Sequence, residues 1–239
     1  MPRLRFLPRA ALRALLACVV AAAAAAPARA GGATGRVEGS VQVLRRSLLG
    51  GLRESYDKSG VVVYVTGFTS GAPASTARLH QRGEQFDPRV LPVVQGQEVT
   101  FPNHDRIYHN VFSVSPLATF DLGQYKSTDA PRTVPFEKAG LVPVYCNIHP
   151  QMLSYVVVLE NDAYAVTAAD GRFAIDGVPA DTDLVLNAWA PGAPRVSQPL
   201  RVAPGQAAAA TFTIQQTERI PPHKRKDGSD YPKPGYDRE

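Results

Sequence analysis

Cysteine is nearly missing from this 239-residue chain. Of its two cysteines, Cys18 falls in a leader-like N-terminal stretch, which leaves Cys146 alone in the remainder. An internal disulfide is excluded, and a lone thiol in an exported protein calls for another use: an intermolecular bridge, a reactive group or a ligand. A buried structural thiol is the plainer alternative. Long apolar runs are scarce as well. Arg3, Arg5, Arg9 and Arg13 precede an apolar stretch over 14–26 and then Ala28-Arg29-Ala30, the n-region, h-region and A-x-A site of a secretory leader spanning 1–30. That stretch is shorter than the roughly 20 residues needed to cross a bilayer, and no later segment is apolar enough. The expectation is a protein with no membrane span, periplasmic or secreted after cleavage near Ala30.

Excess charge of one sign also disappears once the leader is set aside. Five of the 26 basic residues are leader arginines and the leader holds no acid, so 21 basic residues face 21 acidic ones. A balance of that kind gives no support for a nucleic-acid or membrane-surface partner. Coiled-coil heptads and internal repeats are absent too.

What the chain does have is β pattern. Alternating or β-branched runs fall at 37–43, 61–65, 90–94, 99–101, 111–114, 142–145, 155–159, 172–175, 184–188 and 208–214, separated by Gly, Pro, Asn and Asp. This predicts an all-β protein of sandwich type, without βαβ units. Residues 48–56 read as a short helix or a loop, with Gly50-Gly51 arguing against a stable helix. Asp170-Gly171 reads as a tight hairpin turn. From Thr217 onward, Pro, Lys, Arg, Gly and Asp dominate, which predicts a disordered tail over 217–239.

The chemistry concentrates in Cys146-Asn147-Ile148-His149-Pro150-Gln151-Met152, with His109 about forty residues upstream in Asn103-His104-Asp105-Arg106-Ile107-Tyr108-His109-Asn110-Val111. Two His and one Cys with a weak axial Met are the ligand set of a type 1 copper site, and thiolate and thioether are soft ligands that suit copper. A closed structural zinc site usually takes only Cys and His. The run 142–145 would end a strand and deliver Cys146, and Pro150 would stiffen the loop that returns His149 and Met152. His104 is the rival to His109, while His80 and His223 read as surface residues. Met152 as a mere gap-filler is the bland alternative.

Residues 79–160 resemble a cupredoxin. The likeness is carried by Phe86-Asp87-Pro88, by Val94-Gln95-Gly96-Gln97-Glu98-Val99-Thr100-Phe101, by His109-Asn110-Val111, by Gly140-Leu141-Val142-Pro143-Val144-Tyr145-Cys146 and by the ligand loop, whose C-x-x-H-x-x-M spacing is most similar to amicyanin. The resemblance implies a Greek-key sandwich over 67–160 and one type 1 copper per chain. It further implies His109, Cys146 and His149 as equatorial ligands, Met152 as the axial one, and a bracing role for Asn110 beside the thiolate. A redox protein donor and acceptor would then dock transiently near His149, with Pro150 and Leu117 at its border. Tyr145 would offer a second electron route.

A second likeness is to the transthyretin-like or carboxypeptidase-regulatory-like β-sandwich. It rests on Asp170-Gly171-Arg172-Phe173-Ala174-Ile175 and Gly177-Val178-Pro179-Ala180 in 161–216, with the opening strand motif far upstream at Gly35-Arg36-Val37-Glu38-Gly39-Ser40-Val41. It implies that residues 31–66 belong to this second small sandwich and that the copper unit is inserted into it; an enlarged cupredoxin is the rival. Trp189 is expected at a core or interdomain position. The functional expectation is a one-electron carrier and not an enzyme. Copper storage or delivery, and a structural β-sandwich binding module stabilised by copper, are the alternatives.

Overall fold

The structure, a computed structural model, describes residues 32–48 and 50–232. The leader expected over 1–30 lies outside them, as do residues 233–239 of the expected tail. The chain is all-β, with no helix among the described residues. It begins with β1 (Thr34–Arg46), β2 (Leu52–Glu54) and β3 (Val62–Thr66). Then come β4 (Ala77–Arg78), β5 (His80–Gln81), β6 (Phe86–Asp87), β7 (Val90–Val94), β8 (Glu98–Phe101), β9 (His109–Ser115), β10 (Ala118–Tyr125), β11 (Arg132–Pro135), β12 (Gly140–Cys146) and β13 (Leu153–Leu159). It closes with β14 (Tyr164–Val166), β15 (Arg172–Pro179), β16 (Leu184–Trp189), β17 (Val196–Leu200) and β18 (Ala207–Gln216).

The first and last groups share two sheets, in the orders β15-β1-β18 with β2 on β1, and β14-β3-β16-β17. Alternate residues of β1 (Val37, Val41 and Val43) meet Phe173, Ile175, Phe212 and Ile214 of the same sheet, and Val63, Val65 and Leu186 of the other, in one core. Parallel pairing of β1 with β18 sets Gly39 opposite Ala210. A Cβ on Gly39 would fall 1.7 Å from the Ala210 carbonyl oxygen, so only glycine fits that crossing. The middle group forms a second sandwich: a five-stranded sheet β10-β9-β12-β13-β7 and a three-stranded sheet β11-β8-β4. Leu79, Val99, Phe101, Val111, Phe136, Val142, Val144 and Val156 fill its core together with Cys146 and Met152.

Two uninterrupted runs, Val61-Val62-Val63-Tyr64-Val65 and Tyr155-Val156-Val157-Val158-Leu159, have a physical cause. A strand covered on both faces reads as continuous apolar sequence rather than an alternation. Val63 and Val65 point into one core and Val156 and Val158 into the other. Val62, Tyr64, Val157 and Leu159 form a third cluster where the two sandwiches pack, with Trp189 against it and its ring 5.6 Å from that of Tyr155.

Three local readings need correction. Residues 52–54 are neither helix nor loop but a strand paired with β1. Asp170-Gly171 is a turn, closed by Gly171 N–H donating to Ala168 at 2.9 Å, but not a hairpin: it carries the chain from β14 in one sheet to β15 in the other. Its Gly171 carbonyl is taken by the Val41 N–H of β1, at 2.8 Å. The stretch 217–232, read as disordered, is held against the middle sandwich by the contacts described below.

Candidate metal centre

His109 opens β9 and Cys146 closes β12, and antiparallel pairing of these strands sets Cys146 opposite Val111. The ligand loop then folds back on itself. Met152 N–H donates to the His149 carbonyl at 3.1 Å, and Cys146 N–H donates to the Met152 carbonyl at 3.3 Å. The result gathers His109, Cys146 and His149 so that one donor atom of each lies within 4.8 Å of the others. His109 Nδ1 is 3.0 Å from His149 Nδ1, which is 3.7 Å from Cys146 Sγ. Metal bonds of roughly 2.0–2.3 Å can bridge such gaps. His109, Cys146 and Met152 are fully buried, whereas His149 is half-buried.

The donor set fits a soft, one-thiolate metal centre, and the electrostatics agree. Burial pushes the Cys146 thiol up. The hydrogen bond with His109 and the backbone N–H groups of Asn110, Ile148 and His149 outweigh that effect and bring it below its ordinary value. Asn110 therefore serves the thiol through its backbone; its side chain turns away, to Asp121 Oδ1 at 2.6 Å and the Gly123 carbonyl at 3.1 Å. Burial also lowers His149, and the neighbouring His109 adds to the shift, so its imidazole is held in the neutral form that ligates.

Asp105 is the functional residue that motif reading passed over. Its Oδ2 lies 2.9 Å from His109 Nε2 and also accepts the Glu84 N–H, while Oδ1 accepts the Gly83 N–H at 2.8 Å. A carboxylate on Nε2 fixes that nitrogen as an N–H and leaves Nδ1 facing the site. Burial lowers His109, but its hydrogen bonds to Cys146 and Asp105 outweigh that and raise it, so Nδ1 gives up its proton when it ligates. Asn103 shapes the loop that presents it, accepting the Asp105 N–H at 2.7 Å and donating to the Tyr125 carbonyl at 2.9 Å. An acid four residues before a ligand histidine was the available signal. The turn at Gly83-Glu84 also holds the ligand loop itself, through Gln151 Nε2 to Glu84 Oε2 at 2.7 Å.

The other histidines lie elsewhere. His104 is outside the cluster; its Nε2 is 2.8 Å from His80 Nδ1, and both rings sit toward solvent. His223 is not a surface residue. It is half-buried, with its ring 4.6 Å from that of Tyr145 and 5.2 Å from that of Tyr231. Leu117 does not border His149. It packs on Gly140, where an added Cβ would meet it at 2.5 Å, and Gly140 is at the far end of β12 from Cys146, about 20 Å along a strand.

No family model matches the chain, and no curated protein matches it. Solved structures similar to it include a purple cupredoxin from Nitrosopumilus maritimus, at 22% identity and TM-score 0.32, covering 35% of this chain and 99% of that one. A mutant of amicyanin in its Cu(I) form gives 22% and 0.33, covering 41% and 98%. The Cu-containing nitrite reductase from Thermus scotoductus SA-01 gives 22% and 0.34, covering 41% and 25%. The second likeness, to a transthyretin-like or carboxypeptidase-regulatory-like sandwich, stands on sequence alone.

Proposed function

We propose that this chain is an exported one-electron carrier with one type 1 copper, and not an enzyme. His109, Cys146, His149 and Met152 would hold the metal. The observation that carries this reading is the convergence of one thiol and two imidazoles in a largely buried pocket, with the thiol lowered below its ordinary value and one imidazole oriented by a carboxylate. Copper, when bound, would supply the Cu(II)/Cu(I) couple. The protein's part is to keep the donors in one arrangement across both states, which the loop bonds and Asp105 support. His149 is the ligand nearest solvent. Ile148 and Pro150 beside it are exposed, as are Ile107 and Tyr108 in the loop before His109, a small apolar surface on which a redox donor and acceptor would dock transiently.

Adding one equivalent of Cu(II) to the purified, leader-free protein tests the reading. A carrier takes on thiolate-to-copper colour, bleaches with ascorbate and recovers with an oxidant. A colourless protein that holds Cu(I) and yields it to a moderate chelator is a storage or delivery protein, and the carrier reading fails.

A further inference from the structure

Beyond β18 the chain runs back over the ligand loop. Tyr231 donates its hydroxyl hydrogen to the Cys146 carbonyl and lies 3.2 Å from His223 Nδ1, whose ring covers Tyr145. The Lys226 N–H donates to Asn147 Oδ1 at 2.9 Å, and its Nζ reaches Asp121 Oδ2 at 2.5 Å. The other oxygen of Asp121 accepts Asn110 Nδ2 at 2.6 Å. Asn110 in turn accepts the Asn147 N–H at 2.9 Å and aims its own N–H at the Cys146 thiol. The strap thus touches three consecutive residues, Tyr145, Cys146 and Asn147, and reaches the opposite side of the thiol through Asp121 and Asn110.

We propose that Lys226 and Tyr231 are positioning residues of the metal centre: the strap locks the outer side of the ligand loop and slows its opening. A carbonyl next to a ligand, held from outside, cannot swing away without breaking its hydrogen bond, and a loop held at both Cys146 and Asn147 resists the rearrangement that frees the thiol. The link to copper retention rests on the function proposed above; the locking of the loop does not, because its hydrogen bonds run between protein groups alone.

The test uses Cys146, the one thiol left once the leader is removed. It is fully buried, so a thiol reagent reaches it only when the loop opens. In metal-free protein, Tyr231→Phe and Asn147→Ala should each speed labelling about fivefold, the size of one hydrogen bond. Deleting 220–239 should speed it further, and Lys226→Arg should stay closer to the parent than Lys226→Met. With copper bound, the same variants should release Cu(I) to a chelator faster in the same order and shift the absorption maximum. Parent-like labelling in the deletion and both point variants overturns the proposal. Faster labelling in a protein that never becomes coloured keeps the lock and removes the carrier reading. Should the deletion fail to fold, the two point variants decide, provided their far-UV circular dichroism matches the parent.

Discussion

At the scale of single residues, the centre depends on which nitrogen of His109 is free, and Asp105 settles that. Burial raises this carboxylate, but the N–H groups of Glu84 and Gly83 and the bond to His109 hold it below its ordinary value, so it stays charged at neutral pH. Asp105→Asn would turn an amide NH₂ toward one of three N–H donors that now meet an oxygen, and a donor facing a donor has no bond to make. Losing such a partner of a ligand histidine typically weakens metal binding about 10- to 100-fold. A chelator-competition titration should read that range for Asp105→Asn and almost no change for His104→Ala, whose ring partners His80. If His104→Ala were the damaging one, the choice of His109 would be wrong. The candidate ligands were legible because Cys, His and Met crowd seven residues and His109 sits in a recognisable run. Asp105 was legible in principle, four residues away. Asp121, Lys226 and Tyr231 were not, since the contacts of the last two span 105 and 85 residues of sequence.

At the scale of elements, the strands with β-branched runs could be read directly, and those without could not. β10, Ala-Thr-Phe-Asp-Leu-Gly-Gln-Tyr, was missed because it half-faces solvent and carries an irregularity between Asp121 and Gln124, around Gly123. The strap was misread for a different reason: composition registers few apolar residues but cannot register that His223 stacks on Tyr145 and that Tyr231 reaches the Cys146 carbonyl. Its ion pair has a defined pH response. Burial raises Asp121, but Lys226, Asn110 and the Gly123 N–H outweigh that and depress it. A carboxylate depressed on folding stabilises fully above its unfolded value of about 3.9 and loses the contribution as pH falls through the lower folded value. Both partners are about two-fifths exposed, which limits the pair to roughly 1 kcal/mol or less. The stability difference between parent and Lys226→Met in urea should therefore be small and flat from pH 5 to 8 and shrink toward zero below about pH 4. A difference that grew in acid would contradict the pairing.

At the scale of the whole molecule, the sandwich that carries the candidate metal centre lies between β3 and β14, and each sandwich has its own core with a third cluster joining them. Sequence hinted at this through a strand motif far from its partner strands, but composition could not say which face of each valine run went to which core. The arrangement bears on what metal does for stability. A small finger with no core is folded by its metal; here Val99, Phe101, Val111, Phe136, Val142 and Val156 form a buried apolar core, and each such side chain contributes about 1.5–3 kcal/mol. The metal-free protein should keep its β circular dichroism after chelation. Copper should then act by mass action on an already folded chain, adding about 2.7 kcal/mol at a free concentration 100 times Kd. For a protein of this size that corresponds to a rise in Tm of roughly 5–10 °C. Thermal melts with and without one equivalent of copper, run beside Cys146→Ser, measure it directly. The parent should gain the increment and the variant most of it should lose; a collapse of the β signal on chelation would mean that the metal, and not the two valine-rich cores, holds the fold together.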